Sequence, residues 1–147
     1  MGFRANHLVM WGALNGALAV IAGAFGAHGL EASLSPERLS VYQTAATYHM
    51  NHALALVLTG MLAAHGPRGR AGPDGEASRA AGPKRMYLWA GGAFLAGILV
   101  FSGSLYALAI TGIGALGAIT PIGGVGFIVG WVLLSAAALS GGRGEPT

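Results

Sequence analysis

Residues 86–142 make 57 consecutive positions without one Asp, Glu, Lys or Arg. An ordinary soluble domain does not contain such a run, because roughly a quarter of its residues are charged and they are needed at its surface. Two further uncharged runs precede it, 26 residues between Arg4 and Glu31 and 29 between Arg38 and Arg68. Over the 147 residues only 9% are charged while 54% are hydrophobic, so much of the surface must face lipid. The lipid bilayer is thus the first partner that the sequence demands. A net charge of +3 is the kind of surplus that membrane proteins carry for orientation, and it gives no reason to expect nucleic acid as a partner. The absence of Cys removes disulfides, thiolate metal sites, iron–sulfur clusters and Cys nucleophiles together.

A spanning helix takes about 20 mostly apolar residues. One falls at about 8–28, and a second at about 41–65, where a polar beginning (SVYQTAATYHMNH) runs into an apolar end (ALALVLTGMLAA). The longest run holds two more, at about 86–110 and 120–140, divided by the Gly-rich stretch TGIGALGAITPIGG. A cleavable signal peptide is the competing reading of the first span, but the stretch is long for a signal-peptide core and three spans follow it. The start MGFRAN has Asn6 where a myristoylation site wants Ser or Thr. The expectation is an all-α membrane protein, a single four-transmembrane-helix bundle over 1–147.

Between the second and third spans, 66–85 is a run of Gly, Pro, Ala and charges without periodicity, and reads as a flexible loop. It holds Arg68, Arg70, Arg79, Lys84 and Arg85. Adding Arg4 and Arg143 gives seven basic residues on one side against Arg38 alone on the other, so the positive-inside rule predicts cytoplasmic N and C termini and a cytoplasmic loop. On the opposite side Ser35 suits a helix cap, Pro36 the first helical position and Glu37 the first turn. A helix over 36–64 would be about 43 Å long, more than the roughly 30 Å hydrocarbon core.

Tyr42, Ala45, His49, His52, Leu56 and Thr59 recur at steps of three and four, with Tyr48 and Asn51 beside them, and form one stripe of the second span. A polar stripe in a membrane costs free energy unless it faces protein, water or a partner, so it should point into the bundle. The predicted orientation also brings His28, Ser102, Ser104, Tyr106 and Thr120 to the outer half of the bilayer. His28, His49, His52, Ser102, Ser104, Tyr106 and Thr120 are therefore the candidate polar cluster, expected to share one depth. Its plainest reading is a network of hydrogen bonds between helices. The alternatives are a proton or small-solute path, or a metal or haem site using His28, His49 and His52, with Glu31 near His28. No carboxylate lies within a span to complete a metal site, or to orient Ser102 or Ser104 with a His as a hydrolytic pair. GIGALG lacks the Lys and the strand of a phosphate loop. Neither a catalytic constellation nor a cofactor motif is found, and the expectation is a structural or accessory protein and not an enzyme.

Small residues at helical spacing, Gly12, Gly16 and Gly23 in the first span, Gly97 in the third and Gly126 and Gly130 in the fourth, are candidates for close helix packing. They serve the bundle itself or a dimer face, and the sequence leaves a homo-oligomer or a subunit of a membrane complex both open.

GAFGAHGL at 23–30, YQTAATYHMNHALAL at 42–56, FSGSLYALA at 101–109 and TPIGGVGFIVGW at 120–131 resemble the signatures of the YgdD/YwdK-like family (domain of unknown function 423). The resemblance covers nearly the whole chain and implies a small, multi-pass, four-span protein of the bacterial inner membrane. It brings no activity, substrate or cofactor. The loop at 66–85 departs from the pattern in being longer and richer in Gly, Pro and Arg.

Overall fold

The computed structural model describes residues 4–65 and 77–141. Within them the chain is helical: α1 (Ala5–His28), α2 (Pro36–His65), α3 (Ala77–Gly97), a π-helical turn (Ile98–Ser102), α4 (Gly103–Thr111), a 3₁₀ turn (Gly114–Ala118) and α5 (Thr120–Gly141). Gly97 and Gly103 both keep right-handed helical backbone, so α3, the π turn and α4 run on as one rod.

Three helical stretches are long and apolar enough to cross a membrane, Ala5–His28, Lys84–Thr111 and Gly114–Ser140. Helix α2 is long enough but does not join them, a correction to the expectation of four apolar spans. Its first half carries Arg38, Gln43, Thr44, Thr47, Tyr48, His49, Asn51 and His52, which dilute its hydropathy. A second correction concerns 66–85. Helix α3 begins at Ala77, where Ala77, Arg79, Ala80 and Ala81 favour helix, and it continues through Gly82 and Pro83. The remainder of that stretch, 66–76, lies outside the described residues.

The ends of the helices follow from local chemistry. At the start of α2 the Arg38 N–H donates to Ser35 Oγ at 3.4 Å, and Pro36 needs no donor there. Helix α4 stops at Gly112, whose φ of +76° is open to glycine and costly for a side chain. Its N–H closes on the Leu108 carbonyl at 2.8 Å.

Helix α1 packs along α2 and α3 along α5, and α2 also lies against α3, the π turn and α4, so it joins the two pairs. Between α1 and α2 the backbones meet at glycine. A Cβ on Gly12 would lie 2.6 Å from Val57 Cγ2, and one on Gly60 would lie 2.8 Å from Val9 Cγ2. Between α3 and α5, Phe94 sits on Gly130, Phe127 on Gly97 and Phe101 on Gly123, while a Cβ on Gly126 would be 3.4 Å from the Gly97 backbone. Gly16 and Gly23, expected to pack, face away from the bundle, and a Cβ on either would have nothing within 4 Å. Gly26 and Gly91, not singled out by the sequence, receive Tyr42 and Leu8 instead. Outside these seams large apolar side chains are exposed: Leu99 is 67% exposed and Leu139 70%. Such a surface suits lipid and would aggregate in water.

Candidate functional site

All six residues of the α2 stripe, Tyr42, Ala45, His49, His52, Leu56 and Thr59, are buried. Helical periodicity lines them up, and α1, α3 and α4 cover them. Around His49 the side chains of three helices meet. Asn15 of α1 donates its amide N–H to the Trp11 carbonyl at 2.8 Å, which turns its Oδ1 toward His49 Nε2 at 3.1 Å. A carbonyl oxygen only accepts, so Nε2 carries the proton. In the neutral ring Nδ1 then accepts from the Tyr106 hydroxyl of α4 at 3.4 Å. The Tyr106 ring packs in turn on Tyr42, with centroids 4.8 Å apart.

His52 takes the opposite tautomer. Its Nδ1–H donates to the Tyr48 carbonyl one turn back at 2.8 Å, and Nε2 accepts from the indole N–H of Trp131 on α5 at 3.4 Å. An indole nitrogen only donates, so this imidazole is neutral. The ring stacks on Phe127 at 3.5 Å and 10°. His52 itself, with Tyr48, Phe101, Phe127, Ile128 and Trp131, lines a groove of about 470 Å³.

The other predicted members lie apart from His49 and His52. Ser104 donates to the Phe101 carbonyl at 3.0 Å and accepts from Thr120 at 2.9 Å, tying α4 to α5. Ser102 is buried in the π turn and its Oγ has no partner among the described residues. His28 is exposed at the end of α1. It stands thirteen residues beyond Asn15, about 20 Å along the helix axis, so the expectation of one shared depth is corrected. The residue of α1 level with His49 is Asn15, because α1 and α2 are antiparallel and joined by a short connection. His28 therefore sits at the level where α2 begins. Among the described residues no three His, Asp or Glu side chains gather to hold a metal ion.

Three contributors escaped the sequence reading. Asn15 is a lone amide in an apolar run, and its isolation was the available signal. Trp131 enters the sequence reading only as the end of the stretch 120–131, and nothing in the sequence pairs it with His52. Arg38 reads only as a charge in the topology count. In the structure its Nε–H donates to the Ala109 carbonyl at 2.7 Å and its Nη2 to the Ile110 carbonyl, so the guanidinium covers the last carbonyls of α4, where a cation is favourable.

Residues 22–124 match a family described as a protein of unknown function, DUF423. A UPF0382 membrane protein of Staphylococcus aureus is 46% identical over 129 residues, covering 88% of this chain and 92% of the relative. One from Staphylococcus saprophyticus is 47% identical over 126 residues, covering 86% and 91%. The UPF0382 membrane protein YwdK of Bacillus subtilis is 43% identical over 131 residues, covering 89% and 94%. No solved structure matches. The chain belongs to the DUF423 family and is a small multi-pass membrane protein.

Proposed function

We propose that this DUF423 protein is a structural or accessory component of the bacterial plasma membrane, without catalytic activity of its own, and that it crosses the bilayer four times with both termini in the cytoplasm. Helix α2 is the fourth span. Its polar stripe is buried against the other helices, while Leu54, Leu58, Met61 and Leu62 on its outer side are exposed and apolar. Polar groups within a membrane are tolerated when they face protein in this way. The exposed hydroxyls of Thr44 and Thr47 are taken up by the carbonyls of Ser40 and Gln43, each at 2.9 Å.

The observation that carries the structural reading is that all four ring nitrogens of His49 and His52 are engaged by groups of this chain. A metal or haem ligand needs a free imidazole lone pair. Metal analysis and a visible spectrum of the purified protein test this. The expected result is no stoichiometric metal and no chromophore. A bound metal or pigment that disappears in His49→Ala or His52→Ala overturns the reading. For the topology, the chain lacks Cys, so single-Cys labelling is clean. An impermeant reagent applied to intact cells should label Ser33→Cys and leave Ala77→Cys untouched, and the reverse pattern contradicts the orientation.

A further inference from the structure

The rod of α3 and α4 carries one residue more than a plain α-helix would need. At Ile98–Ser102 its hydrogen bonds step to a wider ring, and the Gly103 N–H reaches back to the Ile98 and Val100 carbonyls. A π turn holds one residue more than an α turn. Each residue of α4 therefore stands one place back, about 100° around the axis, from where an unbroken helix would carry it. The turn is not favourable in itself. Neither Gly nor Pro occurs within Ile98–Ser102 to impose it. The Ser102 hydroxyl buried in it has no partner among the described residues, whereas Thr59 and Ser104 each reach a carbonyl three or four residues back.

What the turn secures is read from the neighbours of α4. Tyr106 reaches His49 Nδ1 at 3.4 Å, Ser104 pairs with Thr120 at 2.9 Å, and Ala109 is fully buried with its carbonyl taken by Arg38 at 2.7 Å. In an unbroken helix Leu105 would hold the place of Tyr106, Gly103 that of Ser104 and Leu108 that of Ala109. His49 would then face an alkyl group, Thr120 would lose its hydroxyl partner, and a leucine would be forced into a space that fits alanine. Rotating α3 instead is no remedy, because Phe94 sits on Gly130 and Phe127 on Gly97.

We infer that the π turn is a phase-setting joint. It takes up one surplus residue, so that the rod seats on α5 through α3 and on the polar stripe of α2 through α4 at once. The inference rests in part on the hydrogen-bonded reading of His49 given above, and one arm of its test is independent of that reading.

The test removes or adds one residue in the turn and follows thermal melting of the full chain in detergent. Leu99 is 67% exposed, so its deletion takes no side chain from the core. It leaves an α turn with α4 in place, and the melting midpoint should equal or exceed that of the native chain. Deletion of Val100 should do the same, since either change leaves four residues for the turn. One Ala inserted after Leu99 adds a second surplus residue, turns α4 by about 100° and should lower the midpoint by several degrees. Tyr106→Phe should lower the midpoint equally in the native chain and in the Leu99 deletion, and should have no effect in the insertion variant. Two deletions that fail to fold, or that destabilise as much as the insertion, overturn the joint. So does a Leu99 deletion in which Tyr106→Phe has lost the effect it keeps in the native chain. If Tyr106→Phe is silent in the native chain, the network around His49 fails, and the joint is decided by deletion against insertion alone.

Discussion

Between α1 and α2, Gly12 and Gly60 receive the side chains of Val57 and Val9 and Gly26 receives the ring of Tyr42, whereas the glycines between the α3–α4 rod and α5 receive the rings of Phe94, Phe101 and Phe127. In a bilayer the hydrophobic effect does not drive helices together, so both pairs depend on close fit. The small valine side chains let the α1 and α2 backbones approach until Asn15 reaches His49. The α3–α5 seam gains its contact from large rings seated in holes that only glycine leaves. The Asn15–His49 tie is buried midway along α1 and α2, whereas the Ser104–Thr120 tie lies at the start of α5 and leaves the glycine seam of that pair to fit alone. Helix α2 needs the buried tie because it carries the polar stripe.

The largest effect should come from filling a hole in the aromatic seam. At Gly123 an added Cβ meets the Phe101 backbone, which cannot swing aside as a side chain would. Gly123→Val should cost about 3 kcal/mol, at the upper end for overpacking, in denaturant titration of the detergent-solubilised protein. Gly16→Val, where space is open, should stay within about 0.5 kcal/mol. Equal losses at the two sites would break the contrast between seam and lipid face.

Next comes the polar tie. His49→Leu removes one partner from Asn15 and from Tyr106, and should cost about 1–2 kcal/mol, the upper range for membrane hydrogen bonds. In Asn15→Leu/His49→Leu the loss should be smaller than the sum of the single losses, by about 0.6 kcal/mol. Strict additivity would mean that the two helices are held by shape alone.

A smaller effect belongs to the end where α2 begins and α4 stops, where the two halves are joined. Arg38→Met uncovers the Ala109 and Ile110 carbonyls and should cost about 1 kcal/mol, below the usual value for a charged hydrogen bond because the site is partly exposed. Faster hydrogen exchange confined to the last turn of α4 is the expected signature, and exchange spreading into α3 would contradict it.

The smallest effect concerns Glu37. Its own backbone N–H and the Ser35 hydroxyl hold the carboxyl below its ordinary value of 4.5. A depressed folded-state value stabilises the start of α2 above pH 4.5, and this is lost as the pH falls through the folded value. The exposed position keeps it slight. Glu37→Gln should remove that acid-side component from a stability profile, while an unchanged profile would show that the cap plays no part.

Much of this is legible in the sequence because hydropathy and charge act over long stretches. The uncharged runs locate α1, the α3–α4 rod and α5, and the three-and-four spacing from Tyr42 to Thr59 marks the buried face of α2. What the sequence hides is pairing at a given depth. That depends on how far each helix slides along its neighbour, which a few glycine contacts decide. Gly12 and Gly60 set α1 against α2, and that register delivers Asn15 to His49 and leaves His28 outside. Gly16 and Gly23, where a Cβ would meet nothing within 4 Å, look identical to Gly12 in sequence, because a small residue does not say which way it faces. Length and lack of charge make α2 look like an apolar span, although amides, hydroxyls and imidazoles lower hydropathy without adding charge.

The central claim is that the two buried imidazoles are neutral members of a hydrogen-bonded network within the chain. Side-chain nitrogen NMR of histidine-labelled protein in lipid nanodiscs reads it most directly, with His49→Gln and His52→Gln assigning the signals. The account predicts two neutral rings of opposite tautomer at neutral pH, His49 carrying its proton on Nε2 and His52 on Nδ1. Two rings of the same tautomer, a charged imidazolium at either position, or a shift characteristic of metal ligation would contradict it.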